Sequence, residues 1–276
     1  MLTESNFQSY QRELSYKYYG SPETSPGCTV PKGLLFIDQV VIDYLYERRS
    51  RRTDTHIMWV KGLLCEDVLS LFSQVTRIDI RSKQTTLEPL KVLRKLKHLE
   101  CRSASLENLL GLRRHTGLKV LNLTCNKISS IEELQYLTNL EVLDISFNQI
   151  SDASVISSLE KLRDFKCTHN KITQLDLNLC CSNLRTFSCH SNQLEQLPVF
   201  PPGSVLEDIS FSNNCISDLR PLANCLLLKN IHGHHNNIRE LTGLEGCELL
   251  QRLDLKDNQL ISTEPVMGLN LRRFEY

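Results

Sequence analysis

The chain has 276 residues, 41% of them hydrophobic, and its 32 Lys plus Arg match its 32 Asp plus Glu. That balance leaves no overall field to gather nucleic acid or an anionic membrane, and no run of about 18 uninterrupted apolar residues is present to span a bilayer. The length exceeds one ordinary domain, yet a repeat array grows by stacking and escapes the usual size limit.

In chain order, residues 1–20 carry Tyr10, Tyr16, Tyr18 and Tyr19, read as a short helix, and lack the apolar run of a signal peptide, so a cytoplasmic protein is expected. Residues 20–33 hold three prolines and three glycines and read as a loop. In residues 34–49, Leu34, Ile37, Val41, Tyr44 and Leu45 form a helical stripe, suited to capping the apolar end of a repeat array. The basic run ERRSRR (47–52) reads either as a solvated helix end or as a nuclear address or patch for an acidic partner. Trp59, the single tryptophan, is expected to plug this cap onto the core. The division that follows is 1–74, N-terminal extension and helical cap, and 75–276, repeat array.

The array announces itself in residues 118–139, where Leu118, Leu121, Leu123, Asn126 and Ile128 spell LxxLxLxxNxL. From Leu96 onward a strand starts every 22 residues, at Leu118, Leu140, Leu162, Leu184, Leu206, Leu228 and Leu250. An asparagine column keeps the same phase: Asn126, Asn148, Asn170, Asn192, Asn214, Asn236 and Asn258. Its role is structural, because a chain leaving a buried strand must turn with its amides and carbonyls enclosed, and an asparagine side chain both donates and accepts. Two irregular rungs precede the regular ones, with Lys83 and Ala104 at the asparagine position. The fold class is therefore α/β, a leucine-rich-repeat solenoid of about nine repeats plus the start of a tenth. A parallel sheet lines the concave face, and short helical, 3-10 or extended segments form the convex face. The spacing of three in Ile128, Ile131, Leu134 and Leu137 predicts 3-10 turns. The three prolines of LPVFPPG (197–203) predict an extended connection. Gly233 stands in a core position otherwise filled by large residues, so a neighbour such as Phe211 must lean into the space. The last rung opens with Leu271, Phe274 and Tyr276, and an exposed strand edge there calls for further chain, a partner or a second copy as cover.

The spacing, and the phrase LEVLDISFNQI (140–150), resemble the 22-residue leucine-rich repeats of the regulatory subunit of type-1 protein phosphatase and of axonemal and centrosomal scaffold proteins. That resemblance covers about residues 75–276. It implies a regulatory or scaffolding role, with a phosphatase or cytoskeletal partner held by acidic and aromatic side chains at mid-strand, and a location at the cytoskeleton or cilium. Asp144 fits that pattern; Lys166, Ser188 and Ser210 depart from it.

The candidate binding surface is the concave face: Arg77, Asp79, Glu100, Arg102, Asn122, Asp144, Lys166, Ser188, His190, Ser210, His232, His234, Asp254 and Lys256. It is polar, mixed in sign and nearly free of aromatics, so binding of a protein partner by electrostatic complementarity is expected. Arg77, Arg81, His98 and Arg102 favour an acidic segment at one end, and His190, His232 and His234 give pH sensitivity between about 6 and 7 at the other. Two other readings compete. His232 and His234 share one strand face, with His190 in the column of His234, and so form a possible metal site, although exposed histidines on a polar binding face are the commoner case. An enzyme in residues 1–70 lacks support, since that stretch has no phosphate loop, no GxSxG and no paired CxxC. No catalytic residue, cofactor or metal is assigned, and neither nucleic acid nor membrane insertion is expected. Of 11 cysteines, Cys101, Cys167 and Cys189 take the slot of Leu123, and Cys181, Cys225 and Cys247 that of Leu137. They read as reduced core residues, with Cys225 and Cys247 near enough to bridge in an oxidising compartment. The Asn-Leu-Thr sequon at Asn122 lies in a strand and needs no glycan.

Overall fold

The computed structural model describes residues 57–60, 66, 69, 75–80, 83–84, 86–177 and 181–276, with the backbone alone for 57–60 and Cys181. The helices expected in 1–20 and 34–49, the loop at 20–33, the basic run at 47–52 and Arg81 lie outside these residues.

Among the described residues, eleven strands follow one another across a single sheet. They are β1 Ile57–Val60, β2 Arg77–Ile80, β3 His98–Cys101, β4 Val120–Asn122, β5 Val142–Asp144, β6 Asp164–Lys166, β7 Thr186–Ser188, β8 Asp208–Ser210, β9 Asn230–His232, β10 Arg252–Asp254 and β11 Arg273–Glu275. Every neighbour pair is parallel. The fold is a leucine-rich-repeat solenoid. The sheet starts at Ile57, ahead of the boundary that the repeat phase sets at 75, because edge pairing asks only for backbone donors and acceptors and IMWV lacks the leucine signature. Trp59 falls in register with Asp79.

The core is one leucine-lined column per consensus slot. Leu118, Leu121, Leu123, Ile128, Leu134 and Leu137 are all fully buried, with Ile131 at 2%. The 3-10 turns appear where the spacing of three predicts them, at Glu132–Tyr136 and Ser154–Ser158 among others. The proline-bearing rung has none over 194–203, and there Phe200 instead fills the core, beside the stacked pair Phe165 and Phe187. The expected accommodation of Gly233 is present: a Cβ there would overlap the Phe211 ring and come within 2.9 Å of Leu255. Cys101, Cys167, Cys189, Cys225 and Cys247 are buried free thiols. Burial pushes Cys101 and Cys225 up to about 12 and Cys247 up to about 11, so they stay protonated and inert. Cys125 and Cys215 are the exposed free thiols among the described residues, so iodoacetamide applied to the native chain should label these two before the five buried ones, as peptide mass mapping would show.

Each column asparagine binds more than its own turn. Asn148 Nδ2 donates to Ile145 O of its own rung at 3.0 Å and to Leu123 O of the preceding rung at 3.0 Å, while its Oδ1 accepts from Ile128 N at 3.0 Å. Leu123 O also takes Asn126 Nδ2 at 2.8 Å, so one carbonyl serves two successive asparagines. The same sharing recurs at the carbonyls of Ile145, Cys167, Cys189, Phe211 and Gly233. Where the column breaks at Ala104, Asn126 Oδ1 accepts both Ala104 N and Leu106 N. Removing one member strands groups in two rungs. Asn170→Ala should therefore cost about 1–3 kcal/mol in urea unfolding, and Gly233→Ala a similar amount through overpacking. A wild-type midpoint for either would contradict the corresponding contact.

Candidate functional site

The pairing register sorts the concave face into columns. The middle one runs Asp79, Glu100, Asn122, Asp144, Lys166, Ser188, Ser210, His232, Asp254 and Glu275. Arg77 sits one column toward the strand starts, in register with His98. Arg102, His190, His234 and Lys256 lie two residues beyond the middle column, at the strand ends. The predicted residues thus share one face, but the structure redistributes their charges.

The basic pole is the first correction. Glu100 lies between the two arginines, 2.6 Å from Arg77 and 2.9 Å from Arg102, so one carboxylate already engages both cations meant for an acidic partner. Asp144 accepts the Ser146 amide at 3.0 Å, and Asn122 Oδ1 accepts from Thr124 N and Oγ1. Lys166 is exposed and makes no ion pair among the described residues. It is the available cation of the middle column.

The histidines are the second correction. His232 Nδ1 lies 4.0 Å from Asp254, and His234 meets His235 edge to face, with His235 itself 3.4 Å from Asp257. No three of the described His, Cys, Asp or Glu side chains converge as metal ligands. His190 is held below the ordinary imidazole range, first by burial and then by its neighbours His169 and His234. Its charge therefore appears at lower pH than an exposed histidine's would.

The third correction concerns aromatics. Directly before each column asparagine stands a residue with positive φ: Cys125, Phe147, His169, Ser191, Asn213, His235 and Asp257. This left-handed step turns the chain off the strand. Its amide still reaches the next rung, as Phe147 N does to Thr168 O at 2.8 Å. Asn213 and Asp257 suit that conformation, whereas a bulky aromatic does not. Phe147 nonetheless occupies it at φ 57°, with 48% of its surface exposed. Its ring stacks on His169 at 4.2 Å, and His169 meets His190 edge to face at 4.9 Å. The face expected to lack aromatics thus has an aromatic rim. The signal was present in the position before each asparagine, which the repeat signature leaves unspecified.

At the opposite edge, the residue after each strand-opening leucine forms another row, outside the concave set expected from the sequence: Lys97, Lys119, Glu141, Arg163, Arg185, Glu207, Lys229, Gln251 and Arg272. Glu141 pairs with Lys119 at 2.6 Å, and Glu207 with both Arg185 at 2.8 Å and Lys229 at 2.6 Å. These cations hold both carboxyls below the usual range, Lys119 foremost for Glu141 and Lys229 for Glu207.

One further titratable group is buried. His115 takes the core slot of Leu137, 1% exposed; the Leu93 and Leu90 backbone favours its charged form less than burial opposes it, and neither ring nitrogen makes a well-formed hydrogen bond. Burial pushes its pKa below 6.5, so the unfolded chain takes up the proton first. Its effect on stability is nil well above 6.5 and turns destabilising as pH falls below it. His115→Leu should raise the urea midpoint more at pH 5 than at pH 7.5, and an equal gain at both would refute the buried neutral imidazole.

The arrangement defines a class first: a leucine-rich-repeat module whose polar concave face is bounded by an aromatic rim and a basic edge. Residues 116–158 match the family described as leucine-rich repeats in two copies. Among solved structures, an internalin (InlF) of Listeria monocytogenes superposes with a TM-score of 0.72 at 22% identity, over 79% of this chain and 66% of that one. The ectodomain of the Arabidopsis thaliana receptor kinase GASSHO1/SCHENGEN3, in complex with CASPARIAN STRIP INTEGRITY FACTOR 2, gives 0.61 at 18% identity, over 78% of this chain and 34% of that one. The LRIM1/APL1C complex gives 0.58 at 17%, over 73% and 43%. At these identities the likeness is one of fold. A search of curated protein sequences returns no match. Among the described residues, no helix is long and apolar enough to cross a membrane.

Proposed function

We propose that this chain is a non-catalytic scaffold that holds a protein partner on its concave face, with Phe147 as the anchor. The observation that carries the reading is a large aromatic kept in a left-handed turn and half exposed, a position where asparagine serves at lower backbone cost. Exposed rings in well-packed surroundings are the usual hot spots of protein interfaces. His169 stacks on the ring, and Lys166 on the following strand supplies an exposed cation on the same face. Similar folds occur in complexes with protein partners, as the GASSHO1 and LRIM1 structures illustrate. The middle column speaks against a phosphatase, since it offers Lys166, Ser188 and Ser210 where acidic or aromatic anchors are wanted. The free core thiols favour a reducing compartment, and so a cytoplasmic location.

The test uses strain to separate function from stability. Phe147→Asn relieves the left-handed backbone and should keep or raise the thermal midpoint by a degree or two. It should also lower capture of the native partner at least about tenfold. Lys166→Glu should weaken the same association and reduce its salt dependence. Full-strength capture by both variants would sink the concave-face model and leave residues 1–74 as the recognition element.

A further inference from the structure

The row along the strand starts has a rhythm. Lys97 and Lys119 are cations on adjacent rungs, Glu141 follows, then Arg163 and Arg185 repeat the cation pair, and Glu207 follows again. Lys97 and Arg163 make no ion pair among the described residues, while the two glutamates engage Lys119 and Arg185. Each pair therefore carries one cation outside any ion pair beside a like charge one rung away. Like charges on neighbouring strands repel, and an incoming carboxylate between them would remove that repulsion.

We infer that this edge binds an extended acidic protein segment lying across the rungs, with carboxylates four residues apart. The spacing carries the argument. Parallel strands lie about 4.8 Å apart, so two cation pairs three rungs apart are separated by about 14 Å. An extended chain rises about 3.4 Å per residue and returns to the same face on even steps, so carboxylates at i and i+4 stand about 13–14 Å apart. The segment is confined to the edge, because over these rungs the adjoining concave column, His98, Val120, Val142, Asp164 and Thr186, offers it no lysine or arginine and one opposing carboxylate. A polyphosphate backbone fits less well: Glu141 and Glu207 interrupt the row, and a chain of zero formal charge has no field beyond the ~8 Å screening distance to gather it. This surface is separate from the Phe147 rim.

The test is an NMR titration of the whole chain at low salt with two peptides of identical composition, one with glutamates at i and i+4, the other at i and i+3. A DNA oligonucleotide of equal charge is the third probe. The i, i+4 peptide should bind at least about fivefold more tightly than its isomer and than the oligonucleotide, with shifts along the rungs of Lys97 to Arg185. The double variant R163Q/R185Q, exposed at both positions, should lose about tenfold in affinity, while R113Q on the convex face binds as wild type. Equal affinity for the two isomers, an undiminished R163Q/R185Q, or tighter binding of the oligonucleotide would each overturn the inference.

Discussion

Everything in this molecule depends on how a chain can leave a buried strand without abandoning its backbone hydrogen bonds. The answer is a side-chain amide that completes two turns at once. Each asparagine donates to the last core carbonyl of its own rung and of the preceding one, and accepts an amide from the preceding turn. The result is a ladder continuous from Cys101 O to Asn258. Strands of only three or four residues can form a sheet because this ladder extends the pairing past their ends. Registry of the concave columns, and with it every statement about the binding face, follows from that constraint.

The residue ahead of each asparagine shows why the binding surface was harder to read than the fold. Core slots are restrictive: an apolar side chain, most often leucine or isoleucine, fills nearly all of them, and their 22-residue period announces the solenoid directly. The asparagine role was legible for the same reason, since the turn's unmet donors and acceptors name the residue that completes them. The left-handed position tolerates many side chains, so Phe147 there carries no periodic signal, and its stacking on His169 exists only once adjacent rungs are aligned. Pairing across rungs likewise undid the basic pole, because Glu100 reaches Arg77 on the neighbouring strand. The early start of the sheet escaped notice for the opposite reason: β1 joins through its backbone, and IMWV lacks the repeat's phase.

The sheet thus presents its two margins in different chemical dress. At the strand ends lie the stacked rings of Phe147, His169 and His190. At the strand starts lie cations that outnumber the carboxylates set among them. The concave columns between are polar and mixed. A chain with zero formal charge overall can in this way segregate apolar and electrostatic recognition onto opposite rims of one scaffold.

The pairing of Gly233 with Phe211 has a consequence for how such an array can change. The asparagine ladder is indifferent to which rungs it joins, so a block of 22 residues excised or duplicated elsewhere would find the same donors and acceptors at the new junction. The rungs of Phe211 and Gly233 do not share that freedom. The ring occupies volume in the next rung's slot, and only a rung without a side chain there can follow it. These two rungs must be inherited together, a fixed word within an otherwise interchangeable alphabet.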